Sequence, residues 1–293
     1  MRRNKRSALA AHRHAAAQEL LGSTKAACAA PPVAFQLLSL IRDPHCSSEA
    51  VIRLVQLDPD LTAQLLRLVN TVEFHGQGAG SLNEAVVRLG TEAIAAKAMS
   101  VTLRSLLTIR RTAYCPDPVA LWRHSVECAL ACRYLSRACG GAPWDPNTAF
   151  TCGLLHDLGK IVINAAPSEA LDVIADAMRE EGLHGADAEL AVLGADHAEI
   201  GGLMLEIWNL PSQLATAVRF HHAPEFDPSG LAMLIHVSNG CAKVHANSRG
   251  WKEFEETLHP HAMEQLRLPL SDIEECWGEV LQDMDGIERF MSL

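Results

Sequence analysis

Aromatic residues are scarce in this chain. Phe, Trp and Tyr together make up only 5% of it, and Ala and Leu dominate. That balance disfavours sandwiches and barrels, which rely on aromatic and β-branched strands, and favours close-packed helices. No segment alternates apolar and polar residues for long enough to read as a strand, and no fixed-period repeat is present. Positive charge is also short. The 25 Lys and Arg stand against 35 Asp and Glu, a formal net charge of −10, which excludes an extensive nucleic-acid-binding surface and leaves room only for a local basic patch. No apolar run reaches the roughly 20 residues of a membrane span. The basic start Arg2-Arg3-Asn4-Lys5-Arg6 leads into Ala11-His12-Arg13-His14-Ala15 and not into an apolar signal core, so it reads as a solvated tail. The nine cysteines are scattered and form no Cys-x-x-Cys. They read as small core hydrophobes in a reducing cytoplasm.

What the chain does have is length for one or two domains of about 150 residues each and a 48% hydrophobic content that supports a sizeable core. Residues 8–30 are Ala-rich and read as a helix of low specificity, interrupted by Pro31-Pro32. Phe35, Leu37, Leu38 and Ile41 continue the helical pattern as far as Asp43-Pro44. Ser48 caps an amphipathic segment carrying Val51, Ile52, Leu54 and Val55. Asp58-Pro59 opens another helix through Leu61, Leu65 and Val69, and residues 74–81 form a glycine-containing loop. A short helix from Leu82 ends at Gly90, and a longer one starts at Thr91. Pro116 and Pro118 mark a lobe boundary. Beyond it the pattern predicts helices over 118–139, 147–164, 168–182, 196–208, 211–222, 229–246 and 271–291. The fold class expected is all-α.

Residues 152–160 read Cys-Gly-Leu-Leu-His-Asp-Leu-Gly-Lys. A neutral imidazole and an ionised carboxylate side by side in an apolar segment are ligands for zinc, manganese or iron. Other histidines fall where they can converge with His156 and Asp157. His124 shares an apolar helical face with Cys128, Ala131 and Leu135, which suits a hydrogen-bonded core residue as well as a ligand. His197 stands near a helix start and fits a capping role equally. His221 and His222 end a helix, where imidazoles also suit the dipole. Taken together, five histidines and one aspartate recur near helix ends and inward faces over about 100 residues, and helical bundles gather metal ligands in this way. Lys160, one turn past His156, suits either phosphate neutralisation or a helix terminus.

Two stretches carry a resemblance to a known family. Leu57-Asp58-Pro59-Asp60-Leu61-Thr62-Ala63-Gln64-Leu65-Leu66-Arg67-Leu68-Val69-Asn70, running into Thr71-Val72-Glu73-Phe74, resembles the N-terminal signature of the HDOD branch of the HD superfamily of metal-dependent phosphohydrolases. Residues 81–90, Ser81-Leu82-Asn83-Glu84-Ala85-Val86-Val87-Arg88-Leu89-Gly90, resemble the segment that follows. The resemblance spans residues 30–245. It implies a helical lobe over 31–115, an HD-like core over 116–245, and a helical extension over 246–293 packed on the domain, which leaves residues 1–30 as a partly helical N-terminal tail. It also assigns the site. His124, His156 and Asp157 match the first three ligands of catalytic HD proteins. His197, His221 and His222 match the further histidines of the related HD-GYP cyclic-di-GMP phosphodiesterases. Lys160 matches their phosphate-contacting lysine. Asn239 stands in the place of the last aspartate, as a weaker, uncharged ligand, and His221-His222 is followed by Ala223-Pro224-Glu225 without the Gly-Tyr-Pro element.

The expected function is a cytoplasmic regulatory HDOD module acting through a signalling protein partner or a nucleotide-type or phosphate ligand. The competing expectation is a metal-dependent phosphohydrolase using one or two divalent ions (Fe, Mn or Zn), with Asp157 and Lys160 as catalytic residues. A metal that only staples the helices together is a third.

Overall fold

The computed structural model describes residues 2–24, 47–56, 81–91, 94, 98, 111–140, 144–208, 210–246, 251, 254 and 258–291. Its regular elements are all helical, and no strand occurs among the described residues. In chain order they are α1 (Arg2–Ser23), α2 (Ser48–Gln56), α3 (Leu82–Leu89), α4 (Pro118–Ala138), α5 (Pro146–Leu155), α6 (Gly159–Asn164), α7 (Ser168–Glu180), α8 (Gly185–Leu193), α9 (His197–Ile207) and α10 (Ser212–Arg219). A single 3-10 turn at Pro224–Phe226 precedes α11 (Leu231–Ala246), α12 (Ala262–Leu266) and α13 (Leu270–Met291). The signature over 57–74, the segment 35–41 and most of the helix expected from Thr91 lie outside the described residues.

The chain divides into two compact units, residues 1–29 with 109–273, and residues 30–108 with 274–293. In the second unit, α2 buries Val51, Ile52, Leu54 and Val55, and α3 buries Leu82 and Val86. The α2 cap is Ser47, one residue before the one expected, because its hydroxyl accepts from the Ala50 N–H at 3.2 Å. Ser81 caps α3 through Glu84 N–H, and Gly90 closes it at φ 86°, a conformation open to glycine and strained for other residues.

In the first unit, Asp-Pro pairs start two of the helices that build the core. Asp117 accepts from Val119 and Ala120 N–H at the head of α4, and Asp145 accepts from Thr148 N–H at the head of α5, with proline next in each case. Each cap satisfies N–H groups the helix leaves open and contributes about 1 kcal/mol. α4 packs along α5 and α11, α9 packs on α6 and α10, and α1 lies against α9. That last contact buries Ala17 and Leu21 and pairs Arg13 with Asp196 and His14 with Glu199. The helix expected within residues 8–30 is α1, and it already begins at Arg2, within the basic start expected to be a solvated tail.

Three glycines allow the closest crossings. A Cβ at Gly153 would stand 2.7 Å from Cys128 O, at the crossing of α5 and α4. One at Gly202 would stand 2.9 Å from Ala215 O, between α9 and α10, and one at Gly159 would stand 2.1 Å from His197 O, between α6 and α9. These are contacts with backbone, which cannot swing aside as a side chain can. Replacing Gly159 by Ala should therefore destabilise the protein by about 3 kcal/mol through overpacking, despite alanine's better helix propensity. Urea unfolding of Gly159→Ala beside wild type measures it, and an unchanged midpoint would contradict the crossing.

Candidate metal centre

The centre lies where α4, the α5–α6 junction, the start of α9 and the turn after α10 meet. The sequence predicts one helix over 147–164. The structure breaks it: α5 ends at Leu155, and His156, Asp157 and Leu158 form a turn before α6 begins at Gly159. Bonds from Leu158 N–H to Leu155 O, Lys160 N–H to Asp157 O and Ile161 N–H to Leu158 O tighten the chain to i→i+3 spacing. This overwound turn sets the directions of His156 and Asp157. The helix expected over 211–222 likewise stops at Arg219, so His221 and His222 sit in the following turn and not in a helical last turn. His124 projects from α4, and His197 is the first residue of α9 after its cap Asp196.

Ligand-type atoms gather in two sets of three, His124 with His156 and Asp157, and His197 with His221 and His222, each set within 4.8 Å. The Asp157 carboxylate faces both. Its Oδ2 is 3.5 Å from His124 Nε2 and 3.4 Å from His156 Nε2, and its Oδ1 is 3.2 Å from His197 Nε2. Within the sets, His124 and His156 bring their Nε2 atoms to 3.3 Å, and His197 and His222 theirs to 2.9 Å. The His156 and His221 rings meet edge-on at 5.1 Å, joining the two sets.

Hydrogen bonds behind the rings decide which nitrogen faces inward. His156 Nδ1 donates to Gly153 O and His221 Nδ1 donates to Val218 O, each at 2.7 Å. His197 Nδ1 lies 2.6 Å from Glu189 Oε2. With each Nδ1 proton held behind, Nε2 is the nitrogen left to ligate, the arrangement of imidazoles in metal sites. The residues fit a divalent cation on three grounds. Donor atoms held 2.0–2.2 Å from one ion stand roughly 3–3.5 Å apart, which is the spacing found here. His221 Nε2 and Asn239 Oδ1 are buried with no hydrogen-bond partner among the described residues. The donor set of imidazoles and a carboxylate suits zinc, manganese or iron.

The charges of the centre are set by burial and by its neighbours, and a metal at His197 would have to displace a proton. Burial alone would raise the Asp157 carboxyl, but His156 and Lys160 outweigh it and hold its pKa well below the usual carboxylate range. Lys160 Nζ donates to Asp157 Oδ2 at 2.8 Å. Burial opposes the lysine's charge, yet Asp157 and Glu189 raise its pKa. Burial pushes His124 and His221 well below the ordinary imidazole value, so both rings are neutral at pH 7, the form that can ligate. His197 goes the other way: burial disfavours its charge, but the Glu189 carboxylate raises it to about 9.

All six expected ligands, His124, His156, Asp157, His197, His221 and His222, come together here, with Lys160 beside them. Asn239 is buried on α11. Two supporting residues were missed. Glu189 accepts from the His197 main-chain N–H at 2.7 Å as well as facing its ring, and it accepts from the Tyr114 hydroxyl at 2.6 Å. Burial and the Glu189 carboxylate push the Tyr114 phenol well above its ordinary range, keeping it a donor. Glu189 lies on α8, which the sequence reading does not contain. The only available signal was a carboxylate in an otherwise apolar Leu-Ala-Val-Leu neighbourhood eight residues before His197.

The sequence matches the HDOD domain family over residues 28–224. An uncharacterised protein of Treponema pallidum is 28% identical over 202 residues, which is 67% of this chain and 38% of that one, so the chain spans well under half of that relative's length. Among solved structures, a provisionally named phosphohydrolase from Shewanella amazonensis superposes with a TM-score of 0.73 at 22% identity, covering 92% of this chain and 97% of that one. An HDOD domain protein of unknown function from Geobacter sulfurreducens gives 0.72 at 19% identity, over 92% and 97%. A provisionally named signal transduction protein from Marinobacter aquaeolei gives 0.75 at 20% identity, over 96% and 67%. At these identities the structures establish a common HD-like all-α fold.

The Glu189–His197 pair makes a pH-dependent prediction for chelator-treated protein. A histidine whose folded pKa is raised from 6.5 to about 9 contributes stability that is complete below pH 6.5 and lost as pH rises through about 9. Glu189→Gln should lower the His197 titration by roughly 1–3 pH units. The stability gap between wild type and variant should be widest just below pH 6.5 and close above 9. Imidazole NMR titration and urea unfolding across pH test this, and a gap that widens toward alkaline pH would refute it.

Proposed function

The chain belongs to the HDOD family, and we propose that it is a regulatory signalling module whose HD-like core holds one or two divalent metal ions and uses them to bind a phosphate-bearing ligand. The observation that carries this reading is the Asp157 carboxylate shared between two histidine sets whose Nδ1 atoms at His156, His197 and His221 are already engaged. His124, His156 and Asp157 would hold one ion, and His197, His221 and His222, with Asp157 between the sets, the other. Zinc, manganese or iron bound there would polarise a phosphoryl oxygen. Lys160 keeps a partly exposed ammonium beside Asp157, where it can neutralise an incoming phosphate. His222 is the exposed member of its set, which supports access from solvent.

Two features favour binding and signalling over turnover. Asn239 brings no charge where an aspartate would add one, which weakens the hold on metal. The Gly-Tyr-Pro element does not follow His222. Residues 31–115 would then serve as the lobe that meets a signalling protein in the cytoplasm, 116–245 as the core carrying the centre, and 246–293 as an extension. Among the described residues no helix is long and apolar enough to cross a membrane. The presence of all six ligands together with Lys160 supports a second reading, metal-dependent phosphodiester hydrolysis.

Protein purified from metal-supplemented cells should carry one or two equivalents of transition metal by elemental analysis, and His156→Ala and Asp157→Asn should each lose at least one. Chelation should lower the melting temperature, since metal at a thousand times Kd adds about 4 kcal/mol to stability. No phosphodiesterase activity at saturating manganese is expected. Robust hydrolysis of a cyclic dinucleotide that disappears in His156→Ala would replace the first reading by the second. Failure to take up manganese, iron or zinc would remove both.

A further inference from the structure

His236, on α11, commits both ring nitrogens to main chain. Its Nδ1 lies 3.1 Å from His221 O, and its Nε2 lies 3.1 Å from the main-chain N of His259. A main-chain N–H can only donate, so Nε2 must carry a lone pair. The neutral ring's proton then sits on Nδ1 and points at the His221 carbonyl. His259, far along the chain, thereby selects the tautomer that His221 needs.

The bond falls at a sensitive place. The His221 carbonyl belongs to the peptide plane joining His221 to His222, so fixing that oxygen orients the main chain of both residues. After α10 ends at Arg219, Ala223 N–H reaches Phe220 O at 2.9 Å, the His221 ring is tied to Val218 O at 2.7 Å, and the His222 ring meets His197 Nε2 at 2.9 Å; none of these engages the His221 carbonyl. His236 adds the link from outside the turn, and α11 is a rigid support for it, packed on α4, α5 and α10. His259 Nε2 also lies 3.8 Å from a carboxylate oxygen of Glu225, in the 3-10 turn that follows the histidine pair.

We infer that His236 is a positioning residue for the set His197, His221 and His222, acting through the Nδ1–H bond to the His221 carbonyl in the tautomer set by the His259 main chain. The inference rests on the metal-centre reading. It adds that the two ions depend on different supports, because nothing in the set His124, His156 and Asp157 is bonded to His236.

Two variants of the full chain separate its two hydrogen bonds. His236→Asn places an amide N–H near the old Nδ1 and keeps a donor for His221 O. His236→Gln places its amide near the old Nε2, where it can accept from His259 N–H but leaves His221 O without a donor. Zinc titration against a chromophoric chelator should show one of two equivalents weakened by about 10- to 100-fold in His236→Gln, the other unchanged, and His236→Asn within about threefold of wild type at both. Amide hydrogen exchange at His222 and Ala223, measured on chelator-treated protein, should quicken in His236→Gln and stay near wild type in His236→Asn. Equal behaviour of the two variants, or equal weakening of both equivalents, would overturn the inference. Should wild type bind none of zinc, manganese and iron, the metal reading fails on its own, and the exchange pattern still decides whether His236 holds the turn.

Discussion

Everything at the centre turns on one buried carboxylate. Asp157 is almost fully shielded from water, a costly place for a charge. Burial alone would drive it to the neutral form. The ammonium of Lys160 and the rings around it reverse that preference and keep it ionised. Because its two oxygens face different histidine sets, the carboxylate sets the distance between them. Four separate parts of the first unit, α4, the 156–158 turn, the head of α9 and the turn after α10, are thereby referred to one group. A neutral side chain of the same shape would leave the imidazole nitrogens facing one another across a gap with no charge to organise them.

Around that group, support is supplied mostly by main chain. Gly153 O and Val218 O hold His156 and His221, each three residues before the ring it orients, and both are carbonyls near a helix end where the helix no longer uses them. The loss of regular helix at 156–158 and after Arg219 is thus productive. It frees acceptors at the places where a ring needs one and turns the side chains inward. Glu189 does for His197 with a side chain what the carbonyls do for the others, at the price of a second buried charge. Tyr114 completes it, and the segment 111–117 is therefore tied to the centre through Glu189.

How much of this was legible depended on whether the signal was local. The helical class followed from composition and period. The set of candidate ligands followed from the family resemblance, because each histidine taken alone had another use: His124 as a core residue on an inward face, His197 in a cap, and His221-His222 at a helix end. What sequence hid was geometry that appears only on folding. The break at 156–158 carries no proline and no glycine before Gly159, so the apolar period runs through it unaltered. α8 is short, begins at Gly185 and lies between Gly182 and Gly194, so its period barely registers. Glu189 there looks like any surface glutamate until α8 packs against α9. Tyr114 and His236 are similar cases: each supports the centre through a partner distant in sequence, and no spacing rule connects them. Asn239 was located by its place in the pattern, and folding adds that its oxygen is buried without a partner among the described residues.

The glycine in His-Asp-Leu-Gly-Lys invites a chemical explanation because of its neighbours. Its position gives an architectural one. A Cβ at Gly159 would lie 2.1 Å from the His197 carbonyl, whatever occupied the centre. The motif is therefore two messages overlaid in five letters. The histidine, aspartate and lysine speak for ligand chemistry, and the glycine speaks for the crossing of α6 with α9. The two can be lost independently. A descendant that replaced every residue of the centre would still lose stability on losing the glycine, so the glycine by itself is a record of shape and the flanking residues a record of use.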